Sequence, residues 1–90
     1  MTKLRIPTPL RPYAGGKPEI EVEAKDVAAA MAELIGAHPQ LKAHLYNERG
    51  DLRAFVNLFV NDQNVRDLNG LATSLHSTDV LMILPSIAGG

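Results

Sequence analysis

Polar and apolar residues alternate with a period of two near the start of the chain, the spacing of a half-buried strand. In "KLRIP", Lys3 to Pro7, Leu4 and Ile6 share one face. "PEIEVEA", Pro18 to Ala24, alternates more cleanly, with Ile20 and Val22 on one face and Glu19, Glu21 and Glu23 on the other. The stretch between them holds Pro9, Pro12, Gly15 and Gly16, so a turn or loop is expected there and the two strands form an antiparallel hairpin. The period then changes. In "DVAAAMAELIGAHP", Val27, Ala30, Met31 and Leu34 fall on one helical face. Asp26 is placed to cap the first turn through its carboxylate, and Gly36 followed by Pro39 is the expected stop. This predicts a helix of about eleven residues. "PQLKAHLY", Pro39 to Tyr46, adds a short helical turn, with Leu41 and Leu45 one turn apart.

Alternation returns most strongly in "FVNLFVN", Phe55 to Asn61, where Val56, Leu58 and Val60 share one face and Phe55, Asn57 and Phe59 the other. "NDQN" is expected to turn the chain into a short edge strand near Val65, and "LNGLATSL" to form a loop with a tight turn around Leu71. "DVLMIL", Asp79 to Leu84, is the last strand, ended by Pro85, which cannot donate to a ladder. The order is β-β-α-β-β. It predicts an α+β fold, a sheet of four to five strands with one main helix packed across it. Residues 1–84 form the expected domain and residues 85–90 a tail.

Composition narrows the chemistry. Ninety residues, 46% of them hydrophobic, suffice for one modest core. The net charge is -1 and the cations are scattered, so no basic face is offered to a nucleic acid. No apolar run approaches the roughly 18 residues of a membrane span, and the start of the chain lacks a signal sequence, so a cytoplasmic protein is expected. There is no cysteine, which excludes disulfides, thiolate metal sites, a cysteine nucleophile and a side-chain persulfide together. His38, His44 and His76 show no metal-ligand spacing, and Ser74, Ser77 and Ser86 have no neighbouring histidine as a base. Neither a metal nor a bound cofactor is expected. No catalytic constellation is visible either.

Two glycine pairs stand out, "YAGG" at Tyr13 to Gly16 and "PSIAGG" at Pro85 to Gly90. With glycine at about 7% of residues, a pair somewhere in the chain is close to an even bet, whereas a pair at the last two positions is about a one-in-two-hundred event. A hairpin turn explains the inner pair. For the outer pair, five residues beyond Pro85 reach about 17 Å, enough to enter a partner's active site, and glycine lets backbone approach a nucleotide closely. The group so delivered is the carboxylate of Gly90. It becomes an acyl donor once activated, most directly as an acyl-adenylate made from ATP. Composition alone does not separate this from an unstructured end or an expression remnant.

The element order and the closing "TDVLMILPSIAGG" resemble the ubiquitin-like β-grasp sulfur carriers of the ThiS/MoaD family. "FVNLFVNDQNVRDLNGLATSL", Phe55 to Leu75, and "IPTPLRPYAGG" are most similar to the CysO type, which serves cysteine biosynthesis. The resemblance spans essentially the whole chain, more weakly from Lys17 to Arg53. It implies that an E1-like enzyme of the MoeB/ThiF type adenylates Gly90 with ATP. A sulfur donor then converts the adenylate to a thiocarboxylate. An acceptor enzyme takes the sulfur, for the cysteine pathway a PLP-dependent cysteine synthase using an activated serine. Gly89 gives the access that adenylation needs. The chain is then a protein co-substrate, not an enzyme. A ubiquitin-like modifier joined to lysines, the molybdopterin synthase small subunit, and a carrier for thiamin, tRNA thiolation or another sulfur metabolite remain alternatives.

Strand parity points to a partner surface. If Leu81 and Ile83 face inward, then Val80, Met82 and Leu84 face outward, beside Phe59 and Phe55 of the neighbouring strand. Phe59, Met82 and Leu84, continued by Pro85, Ile87 and Ala88, are the candidate docking residues. The alternative is an end strand buried on both faces. Arg66 either pairs with a partner carboxylate or is solvated.

Overall fold

The computed structural model describes residues 1–54 and 56–85. Five strands form one sheet: β1 (Thr2–Arg5), β2 (Glu19–Val22), β3 (Val56–Val60), β4 (Gln63–Asn64) and β5 (Val80–Pro85), in the order β2-β1-β5-β3-β4. β1 and β2 pair antiparallel, as their alternation predicts, with Thr2 opposite Val22 and Arg5 opposite Glu19. β5 lies at the centre, parallel to β1 and antiparallel to β3. A parallel pair needs a long crossover rather than a tight turn, and nearly the whole chain supplies it here.

Helix α1 (Val27–Ala37) has the predicted length of eleven residues, and the Asp26 carboxylate accepts the Ala29 amide at 2.8 Å. Its four predicted face residues, Val27, Ala30, Met31 and Leu34, are fully buried. They share one core with Leu4, Val22, Val56, Leu58, Leu81 and Ile83 from one face of the sheet, and with Leu41 and Leu45 of the short helix α2 (Leu41–Leu45). Burying each such Leu or Val side chain contributes about 1.5–3 kcal/mol.

The helix stop is not where Gly36 suggests. α1 runs through Gly36 to Ala37, and the His38 amide closes it onto the Leu34 carbonyl at 2.8 Å. His38 takes φ −134°, ψ 75°. The residue before a proline is driven out of the helical region by the ring of Pro39, so the proline and not the glycine ends the helix.

Three other elements differ from their expected form. Thr8–Ala14, expected as a turn or loop, is a seven-residue 3-10 helix with Leu10 and Ala14 buried. Proline at its first turn costs no hydrogen bond, and the fixed φ suits it. Gly15, at φ 69°, ends it, so the positive φ expected of the inner glycine pair is present, at a helix end and not in a hairpin turn. The edge strand lies at Gln63–Asn64 instead of near Val65. Val65 starts a 3-10 turn, capped by the Asn64 side chain accepting the Arg66 amide at 2.9 Å, and its own side chain joins the core. The turn around Leu71 is a third 3-10 segment, Gly70–Ala72.

The start of β5 is clamped by polar groups. Asn61, with φ 58°, donates its side-chain amide to Asp79 at 3.1 Å and accepts the Val80 amide at 3.1 Å. The His76 amide donates to the other Asp79 oxygen at 2.8 Å. That amide first, and the Asn61 side chain second, hold the Asp79 carboxyl below the usual carboxylate range. A native pKa below the unfolded one stabilises the fold above the unfolded value, and the contribution is lost as pH falls through the native value. Thermal melts between about pH 5 and pH 2 are expected to show a shallower acid-side loss of Tm for Asp79→Asn than for the parent chain. Equal slopes would remove the assignment.

Candidate functional site

The two faces of β5 differ in kind. Leu81 and Ile83 are wholly buried against the helix layer, whereas Val80 and Met82 are half-buried and Leu84 is 42% exposed. The outward parity expected from the sequence is the one observed. Among the described residues the outer side is only partly covered, so the central position of the strand does not bury both its faces. Phe59 stands across from Met82, and Asn57 across from Leu84.

Strand register orders this outer face into columns of different chemistry. One row across the sheet reads Glu19, Arg5, Met82, Phe59 and Asn64. The next reads Glu21, Lys3 and Val80. An acidic edge strand is followed by a basic strand and then by an apolar centre. Phe59 and Met82, both half-buried, therefore meet at the middle of a one-sided sheet, and Leu84 extends the apolar strip toward Pro85. Pro85 is the last residue of β5, opposite Val56. Phe55, Ile87, Ala88, Gly89 and Gly90 lie outside the described residues.

The polar residues of the "FVN…VND…VR" stretch hold the framework together. The Arg66 guanidinium donates to the Ala54 carbonyl at 2.9 Å, to the Val56 carbonyl at 3.2 Å and to the Asn57 side chain at 3.3 Å. It clasps the start of β3 and is neither simply solvated nor reserved for a partner's carboxylate. Asn61 ties the end of β3 to the start of β5. These residues share the stretch with Phe59, yet their work is to set the register on which Phe59 and Met82 meet.

The histidines stay apart from this face. His44 stacks against Tyr13 with ring centroids 4.1 Å apart, and His76 belongs to the Asp79 turn. Among the described residues no three His, Cys, Asp or Glu side chains are grouped to hold a metal ion. A groove of about 180 Å³ opens at the C-terminal ends of β1 and β5, lined by Arg5, Pro7, Arg11, Met82 and Leu84 among others. Sequence reasoning assigned nothing to these two arginines. A signal was available for Arg5, whose odd-numbered position points out of β1. None marked Arg11, which a local 3-10 helix carries to the same place.

Residues 4–90 match the ThiS family. The chain belongs to that family. The sulfur carrier protein CysO of Mycobacterium tuberculosis (strain ATCC 25618 / H37Rv) is 37% identical over 87 residues, 94% of each chain. A chain in the crystal structure of the Amycolatopsis orientalis BexX/CysO complex is similar over the full length of both chains, with 36% identity and a TM-score of 0.89. The small archaeal modifier protein 1 of Methanosarcina acetivorans reaches a TM-score of 0.85 at 30% identity, over 99% of this chain and 95% of that one. The mixed five-stranded sheet with its helix packed across is thus the ubiquitin-like β-grasp that the closing motif implied. In this ThiS-family chain the apolar strip of β5 and β3 lies on the side of the sheet that faces away from the helix layer.

Proposed function

We infer that this chain is a sulfur carrier protein of cysteine biosynthesis, a co-substrate of other enzymes and not itself a catalyst. The observation that carries this is its 37% identity to CysO sulfur carriers over an alignment covering 94% of its length. Two features of the chain agree with it. There is no cysteine thiol to compete for sulfur, and the last residues are Gly89 and Gly90, which bring a bare backbone to the reaction.

The chemistry proceeds in two steps. A carboxylate oxygen of Gly90 attacks the α-phosphorus of ATP on an E1-like enzyme, pyrophosphate leaves, and an acyl-adenylate forms. Sulfide released by the sulfur donor then attacks the Gly90 carbonyl carbon, AMP leaves with the C–O bond broken and a C–S bond formed, and loss of the sulfide proton leaves a thiocarboxylate. A PLP-dependent cysteine synthase is the proposed acceptor of that sulfur. ATP is consumed by the adenylating partner and is not held by this chain. Phe59, Met82 and Leu84 dock the partners, and Pro85, Ile87 and Ala88 lead the tail into the active site.

Intact-mass analysis after incubation with the adenylating enzyme, ATP and a sulfur donor is the test. The expected result is exchange of one oxygen for one sulfur at the terminus. Similarity to the small archaeal modifier protein 1 favours a second reading, conjugation through Gly90 to lysines of other proteins. It would appear as a ladder of heavier adducts without that exchange. Phe59→Asp or Met82→Asp places a charge in the apolar strip and is expected to raise the carrier's KM about tenfold or more, as for a central interface residue, with the melting temperature held near that of the parent. An unchanged KM would dismiss the strip as a docking surface.

A further inference from the structure

We propose that the groove between Arg5 and Arg11 binds a carboxylate, an aspartate or glutamate side chain on the surface of the adenylating enzyme. This deepens the carrier reading and rests on it. The groove exists because two parallel strands part. β1 and β5 run in register as far as Arg5 opposite Met82. Beyond that point the chain after β1 turns away into the 3-10 helix at Thr8, while β5 continues to Pro85. The opening, about 180 Å³, has Ile6 and Ile83 at its back, Pro7, Met82 and Leu84 as apolar walls, and, among the described residues, the two arginines as its only charged lining.

Arg11 is held ready. Its Nε donates to the Ile6 carbonyl at 3.0 Å, which fixes the stem of the side chain. Among the described residues its terminal nitrogens take no hydrogen bond or ion pair. Among the described residues the Arg5 side chain takes none either, although Glu19 stands across from it in the strand register. A guanidinium offers paired N–H donors in one plane, which match the two oxygens of a carboxylate. Fixing the stem beforehand lowers the ordering cost on binding. The apolar walls displace water and strengthen the charge pairing. The groove thus continues the apolar strip with a basic end, a surface that suits a partner carrying an acidic residue beside apolar ones.

Position separates this anion from the nucleotide. The five residues from Ser86 to Gly90 span up to about 17 Å, so phosphates engaged at the Gly90 carboxylate need not reach a groove lined by Leu84. The occupant is therefore assigned to the enzyme's outer contact surface. A second copy of this chain, offering Glu19 and Glu21, is the competing occupant.

The experiment measures KM and kcat of the cognate adenylating enzyme for the carrier, with ATP saturating, at low and high salt. Arg5→Gln, Arg11→Gln, Arg11→Lys and the double Arg5→Gln/Arg11→Gln variant are compared with the parent and with Lys17→Gln, which lies outside the groove. The double variant is expected to raise KM about tenfold or more with kcat unchanged, and to lose most of the parent's salt dependence. Arg11→Lys should recover only part of the loss, because it keeps the charge without the fork. Melting curves check folding, and if Arg11→Gln unfolds, the exposed Arg5→Gln and Arg5→Glu variants carry the test alone.

A double-variant KM within twofold of the parent overturns the proposal, and so does a fall in kcat with KM unmoved, which would place the arginines on the nucleotide. Self-association that the double variant abolishes, with KM unmoved, gives the groove to a second copy instead. If the parent chain is not adenylated at all, the carrier reading itself fails. If the parent is adenylated and the arginine variants match it, only this inference fails.

Discussion

A chain ending at Gly89 is expected to lose adenylation and thiocarboxylation by at least a hundredfold while melting at the same temperature as the parent. In the proposed reaction the group that reacts is the main-chain carboxylate of Gly90, so deleting one residue does not remove it but withdraws it. One residue shortens the reach by about 3.5 Å, and a misplacement of about 1 Å already costs on the order of a hundredfold when reaction depends on alignment of the attacking atoms. Stability should not follow. The core of the described residues ends at Ile83 in chain order, seven residues before the one deleted. Intact mass and a thermal melt of the same sample check both halves. Normal thiocarboxylation of the shortened chain would sink the assignment of Gly90.

Leu81→Ala is expected to have the largest effect on stability. Leu81 is wholly buried at the centre of the sheet, paired with Leu4 on one side and Val60 on the other. Truncating such a leucine removes its transfer free energy and leaves a cavity that neighbours on two strands cannot fill, at a cost of about 2–5 kcal/mol. Against a total of about 5–15 kcal/mol, the loss should lower Tm by roughly 10 °C or more in a domain of this size. Met82→Ala, one residue along, points to the uncovered side and should cost about 1 kcal/mol or less while raising KM for the partner. Equal destabilisation by the two substitutions would mean that the faces of β5 are not divided as described. The pair thus separates stability from binding within two adjacent residues.

Much of the fold is legible in local pattern. The face of α1, its Asp26 cap and the inward parity of Val56, Leu58, Leu81 and Ile83 all follow from periodicity, because helix and strand geometry repeat within a few residues. The misreadings also have local causes. Gly36 looks like a stop, but a glycine inside a helix costs only about 1 kcal/mol, whereas the ring of Pro39 imposes a steric limit on His38. Val65 reads as strand by residue type, yet its side chain is drawn into the core, and the Asn64 cap bends the backbone into a 3-10 turn. At the candidate site, the outward positions of Phe59, Met82 and Leu84 were legible from parity. The groove was not.

By itself the sequence determined which chemistry is available and where the elements lie. It contains no cysteine, and its alternation sets which side of each strand meets the helix. Tertiary structure alone decided which strands become neighbours. β1 and β5 come from opposite ends of the chain, and no period along either one records that Arg5 will stand beside Met82. Arg66 likewise turned from a free cation into a clasp on the Ala54 and Val56 carbonyls only once β3 was in place. The physical reason is range. Alternation reflects how each residue meets one layer of core, whereas pairing and grooves depend on contacts closed across the whole chain, whose partners no local spacing encodes.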